Sequence, residues 1–510
     1  MDKKEKSDLY KYLHKDVKEF NKYILSLVCI GILVLAGLLS YFITTSYAYF
    51  TDTIVGEKTI EATVDSCSKI APNAPVLDSV MIPVYYDETS STWKKADSTN
   101  KSNNWYDYCE KKWANSVTVS STNRSKYQSA SVGTEIPMDD ILTMQVWIPR
   151  YKYKVWNYNA DGTKTSNEQQ IEITFEKGTN TTGEISCQDA ISATDGAPSE
   201  TCKLKETNAT CTDDTCNNKT YTHPAFTFGT EEIKGFWVGK FELTGTISSI
   251  TTKPNLNSLI SQTVSSFETN IMNMKNSGNS YGISSTTDTH MIKNSEWGAV
   301  AYLSHSKYGT CTDGTCKEIG VNANKNKITG CGFEAGTTLK DTCNEYNTIT
   351  GQLASTTGNV YGAYDMSGGT EEYTMSNIVS NDGTTMMSGY NSSSNSGYTG
   401  KVYDSGNYTS YKGVAYPDNK YYDKYSFNTD RTKRKISKLG DAKKEIASQY
   451  GWYRSSLYIA NSPSGSWYVC GGNYKRNIGG GLGAGLFNSS DRSGSADSSS
   501  SSRLIITPQS

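Results

Sequence analysis

The sequence predicts a strand-rich α+β protein with few helices and long loops, and three observations lead there. Tyr (36) and Gly (43) are in excess along with Ser, Thr and Asn, a palette of exposed hydrogen bonders and amphipathic rings that suits β-rich binding surfaces. Short runs alternate apolar and polar residues, as where Tyr151, Tyr153 and Val155 interleave with Lys152 and Lys154. Only two segments show helical periodicity. With 510 residues, 36% of them hydrophobic, the chain can bury core in two or three domains. Its formal charge is −2 and its one basic run, Arg431 to Lys435, is short, which argues against a nucleic-acid partner.

At the N-terminus, Tyr23 to Ile43 carries no charge in 21 residues, long enough at about 1.5 Å per residue to cross a ~30 Å hydrocarbon layer. Seven lysines lie between Lys3 and Lys22, whereas the next after the run is Lys58, so the positive-inside rule puts the N-terminus in the cytoplasm. The expected organisation is a cytoplasmic tail at 1–22, a transmembrane helix or signal anchor at 23–45, a stalk at 46–72, a small all-β spacer at 73–137 and a main domain at 138–510. The expected location is a cell membrane, single-pass, with the bulk outside. Ser46 to Thr53, SYAYFTDT, resembles the start of the mature part of Gram-positive biofilm-fibre proteins, so release after signal cleavage stays open beside retention.

Cysteine usage fits an exterior location. Cys67, Cys109, Cys187, Cys202, Cys211, Cys216, Cys311, Cys316, Cys331 and Cys343 are disulfide candidates, and Cys470 has no neighbour. In Cys211–Cys216 and Cys311–Cys316 an Asp or Asp-Gly turn brings the sulfurs together, and Cys331 pairs with Cys343 by the same local logic. Zinc is the alternative, but structural zinc prefers a second knuckle, and only His223 is near 211/216. No metal site is therefore expected.

Between Pro72 and Val119, short strand runs separated by Asp, Ser and Asn turns define the spacer. Strands follow at 141–156 and 170–175, and the polar, four-cysteine stretch 176–222 reads as a disulfide-pinned insertion. Helices are expected at 258–275, where Leu259, Val264, Phe267 and Ile271 share a stripe, and at 294–305, which opens on Asn294 and Ser295. Residues 376–441 and 489–502 are loop-like by composition.

Val146-Trp147-Ile148-Pro149, then Gly235 to Thr244 (GFWVGKFELT), Lys293 to Ala301 (KNSEWGAVA), Val360 to Tyr373 (VYGAYDMSGGTEEY), Gly471 to Tyr474 and a closing strand from Arg503 occur in an order similar to the formylglycine-generating enzyme (sulfatase-modifying factor) family. The resemblance covers about 138–510 and implies a C-type-lectin-like fold, mixed α+β, with a distorted sheet and two helices. It departs at the chemistry. The family's paired copper-binding cysteines after the Gly-Gly block are absent, and a single thiolate, Cys470, cannot supply the paired soft site that Cu(I) prefers. An enzyme is therefore not expected. No cofactor is expected either, with structural calcium kept open although Gly368-Gly369 removes one of the family's side-chain oxygens.

Other catalytic sets are no stronger, since His223, His290 and His305 are scattered and adjacent Glu371 and Glu372 face different ways, as in a solvated loop. The same scaffold without enzyme cysteines resembles the variable ligand-binding proteins of diversity-generating retroelements. That resemblance makes 452–503 a candidate variable ligand face, with Asn473, Tyr474, Arg476, Asn477, Phe487, Asn488, Asp491 and Arg492 as contact residues. The expected function is a membrane-tethered, surface-displayed, non-catalytic binding protein for a protein or glycan ligand. A formylglycine-type oxidase with relocated chemistry and a surface-fibre or prophage structural subunit remain the alternatives.

Overall fold

The computed structural model describes residues 4, 6–8, 21–22, 70–154, 170–187, 202–210, 219–380, 384–426, 437–443, 464–475 and 484–508. Residues Ser68–Ser510 group as one compact unit, and Met1–Cys67 as another. The apolar run 23–43 lies outside the described residues. Among the described residues no helix is long and apolar enough to cross a membrane.

A seven-stranded sheet organises the larger unit. In spatial order its strands are Asp288–Met291, Leu504–Thr507, Gly235–Gly239, Ile141–Pro149, Asn115–Val119, Ile82–Asp87 and Thr92–Lys95, each antiparallel to its neighbour. The sheet runs straight through residue 137, so the expected spacer at 73–137 is no separate module. Its strands pair with Ile141–Pro149, and Val84, Trp93, Val117 and Tyr127 share one core with Met144, Phe241, Tyr361 and Tyr364. The physical reason is burial: a strand such as Asn115–Val119, buried at every position, needs cover on both faces that a 65-residue spacer could not supply.

A second sheet pairs Glu371–Val379 in parallel with Asp423–Ser426 and antiparallel with Trp467–Gly472, which in turn pairs with Ala484–Arg492. A third sheet joins Ile173–Phe175, Tyr151–Lys154, Thr220–Thr222, Ile185–Cys187 and Cys202–Leu204. The stretch 176–222 is thus partly sheet, and Cys187 stands opposite Cys202 in its register. Residues 376–441 and 489–502, expected as loops, also contribute strands, at Met387–Gly389, Gly400–Asp404, Asn407–Tyr411, Asp423–Ser426 and the end of Ala484–Arg492.

Three α-helices are described: α1 Ser121–Ser129, α2 Val264–Met272 and α3 Asn294–Ser304. The polar α1 buries only Tyr127, which left no apolar stripe to read. The helix expected from 258 begins six residues later, where the Thr263 side chain accepts from the Ser266 N–H. Expected at 294–305, α3 is buried along its whole length, and His305 is its C-cap.

Disulfides Cys311–Cys316 and Cys331–Cys343 are formed, and Cys109 is disulfide-bonded. Cys67, Cys211 and Cys216 lie outside the described residues. Cys470 is buried and free.

Ion pairs hold the sheets from within. Glu371 and Glu372 do face different ways, but neither is solvated. Glu371 takes Arg492 Nε at 2.8 Å, and Glu372, itself fully buried, takes Arg503 Nε at 2.9 Å. Arg150, also buried, bridges Glu176 (2.9 Å) and Glu232 (2.6 Å). Beside α3, His290 lies between Glu296 (2.9 Å) and Asp288 (3.4 Å). Burial pulls the His290 pKa down, yet the two carboxylates raise it to about 9, while burial lifts Glu268 to about 8.

Both shifts carry the same sign in stability. The folded chain retains the His290 proton up to about pH 9 against an ordinary value of 6.5, so this contribution is complete below about pH 6.5 and lost as pH rises through about 9. Glu268 likewise holds its proton up to about pH 8 against 4.5. The urea midpoint is therefore expected to fall steadily between pH 6.5 and 9, and His290→Gln to flatten the slope. A midpoint constant over that range would contradict this reading of the cluster.

Candidate ligand-binding site

A cavity of about 320 Å³ opens between the third sheet, the start of α3 and the turn at 437–441. The sequence builds its floor by alternation. In Tyr151–Lys154 the tyrosines face inward and the lysines outward. Tyr151 donates its hydroxyl to the Ala299 carbonyl of α3 at 2.7 Å, and Tyr153 packs on Tyr302 with centroids 5.0 Å apart. Pairing of this strand with Thr220–Thr222 puts Tyr221 beside Tyr153, stacked at 5.8 Å and 28°. Pro224, Leu439 and Ile185 extend the apolar surface. Beneath the floor His223 is fully buried and accepts from the Ala225 N–H. Burial depresses its pKa to about 3, so it is a neutral core ring rather than a catalytic base.

Charged walls face this floor. Asp423 accepts the Ser295 N–H at 2.9 Å and so satisfies a donor at the start of α3. Glu296 accepts the Lys293 N–H at 2.9 Å and closes the same turn. Asp441 ties the opposite wall together by accepting from the Lys438 N–H (2.8 Å), the Lys443 N–H (3.0 Å) and the Tyr425 hydroxyl (3.0 Å). That wall sits close because α3 has no side chain at Gly298, where an added methyl group would collide with the Gly440 carbonyl. Hydroxyl groups of Ser186, Thr222, Thr227 and Ser295 complete the lining.

Behind the 441 wall lies the free cysteine. Burial pushes the Cys470 thiol up to about 11, with Lys443 pulling the other way at 4.0 Å. Cys470 donates to Asn294 Oδ1 at 3.7 Å. A thiol held protonated in this way is a poor nucleophile at neutral pH.

The expected ligand face is placed differently from the expectation. Arg476 and Asn477 lie outside the described residues. Asn473, Tyr474, Phe487 and Asn488 are buried. Asn473 donates to Glu371 at 3.1 Å, and the Phe487 ring meets His305 edge-on at 5.6 Å. Asp491 and Arg492 are half-exposed, with Arg492 paired to Glu371. That burial has a physical cause: the strand Ala484–Arg492 closes the edge of the second sheet, pairs with Trp467–Gly472 on one side, and lies against the Trp297 indole and the His305 ring.

Sequence reasoning missed the cavity residues. The inward tyrosines of 151–154 were readable as a buried face. Nothing local announced that 220–222 would pair beside them, or that 437–443 would pack on α3.

No protein-family model matches the sequence, and no curated protein matches it.

Proposed function

We propose that the chain is a surface-displayed, non-catalytic ligand-binding protein built on a formylglycine-generating-enzyme-like, C-type-lectin-like scaffold, and that its ligand occupies the Tyr153–Tyr221 cavity. In this reading residues 23–43 tether it to a cell membrane with the bulk outside. The observation that carries the proposal is the cavity itself: an aromatic floor with hydroxyl, carboxylate and ammonium groups converging on it is how small-ligand sites combine affinity with orientation. A protein loop or a glycan presenting a ring to the tyrosines and hydroxyls to the walls fits that lining. The protonated, buried Cys470 weighs against the oxidase alternative. Burial of four of the six described ligand-face candidates weighs against a diversified C-terminal surface, since variable contact residues must reach solvent.

The test is a screen of the full-length chain against glycan and peptide arrays, repeated with Ser186→Trp. Ser186 is exposed and lines the cavity, so an indole there fills the space without disturbing the core. Binding is expected to fall at least tenfold with the melting temperature nearly unmoved. Undiminished binding by a folded Ser186→Trp chain would remove the ligand from the cavity, and copper-dependent oxygen consumption would restore the oxidase reading.

A further inference from the structure

We propose that His305, Cys311 and Cys316 form a redox-gated zinc site, closed as a disulfide in oxidising surroundings and able to hold Zn²⁺ once the disulfide is reduced. One ligand atom from each of the three lies within 4.8 Å of the other two. The arrangement is local and built by the chain. His305 follows the last turn of α3, the Gly309 and Cys311 N–H groups return to the Ser306 carbonyl, and Thr310 N–H returns to Ser304. The hairpin Cys311–Thr312/Thr315–Cys316 then places the second sulfur opposite the first.

The donor set suits zinc. Four residues, Thr312 to Thr315, separate the two cysteines, within the range of a zinc knuckle, and His305 takes the place of a ligand from a second knuckle. With sulfur at about 2.3 Å and nitrogen at about 2.0 Å, a tetrahedral ion sets its ligand atoms roughly 3.5–3.8 Å apart, so the three side chains need shift by only about an ångström. Cys316 is half-exposed, which lets water enter as the fourth ligand. Lys111 donates to the Cys311 carbonyl at 2.9 Å, and its positive charge favours the thiolate forms.

The steps balance. A phosphine attacks one sulfur and breaks the S–S bond, releasing the other sulfur as a thiolate; water then gives its oxygen to phosphorus, the phosphine leaves as its oxide, and the two water protons complete two thiols. Zn²⁺ then displaces both thiol protons to solvent, and His305 contributes a neutral ring nitrogen.

The full-length chain, reduced with a water-soluble phosphine, is titrated with Zn²⁺ against a chromogenic chelator. It is expected to retain one zinc more than the Cys311→Ser/Cys316→Ser chain treated identically, and the unreduced chain to lack that zinc. His305→Ala should give the zinc up at a chelator concentration at least tenfold lower, with His305→Asn serving if the alanine variant does not fold. Co²⁺ in place of Zn²⁺ should show a thiolate charge-transfer band that the double serine variant loses. Equal zinc uptake by the native and double serine chains, or an unchanged competition curve for the folded His305 variant, would overturn the proposal.

Discussion

Replacing Arg503 with Met is expected to destabilise the chain by about 3–5 kcal/mol, because it strands a buried carboxylate. Arg503 and Glu372 are both fully buried. The guanidinium donates to both Glu372 oxygens and, at 2.8 Å each, to the carbonyls of Gly239 and Tyr364. One side chain therefore ties the strand Gly235–Gly239, the 360–373 block and the strand Glu371–Val379 to the start of the closing strand. A loss of that size is a large share of the ~5–15 kcal/mol that holds a typical domain together. Glu372→Leu added to Arg503→Met should recover part of the loss by removing the unpaired charge, though two carbonyls stay unsatisfied. Chemical denaturation of the three variants checks this, and a cost below about 1 kcal/mol for Arg503→Met would show that the pair is dispensable.

Phe487→Ala is expected to cost about 3–5 kcal/mol, the range for truncating a buried aromatic ring. Read as a contact residue of the candidate ligand face at 452–503, Phe487 would lose binding and not stability on the same change. Its ring is only 2% exposed and meets His305. The neighbouring Leu486 carbonyl accepts the Trp297 indole N–H at 2.9 Å, so this strand is the surface on which the helix α3 rests. Trp297→Ala should be comparably damaging, and a melting temperature for Phe487→Ala close to that of the unmodified chain would return the segment to the solvent-facing role.

Elements with local signatures were legible in the sequence. The Trp297 helix lies where its periodicity puts it, the alternation of 151–154 marks a buried face, and the Cys311–Cys316 and Cys331–Cys343 loops are closed as their spacing implies. What escaped depends on partners far along the chain. Glu371 and Glu372 look solvated until Arg492 and Arg503, more than a hundred residues away, neutralise them. A strand such as Ala484–Arg492 reads as loop because polar residues can be buried when a ladder on the facing strand satisfies their backbone. The expected boundary at 137 failed for a related reason: composition changes there, but the pairing of Asn115–Val119 with Ile141–Pro149 crosses it. The cavity was least legible of all, since its floor and its walls come from six separated segments and none is distinctive alone.

Hydrogen exchange on the full-length chain, with and without a ligand recovered from the arrays, tests the central claim most directly. Protection on ligand binding is expected at 151–154, 220–222 and 437–443, the floor and wall of the cavity, with 484–492 unchanged because none of its residues lines the cavity. Protection gained at 473–475 and 484–492 with none around Tyr153 and Tyr221 would contradict the account and place the ligand on the C-terminal face.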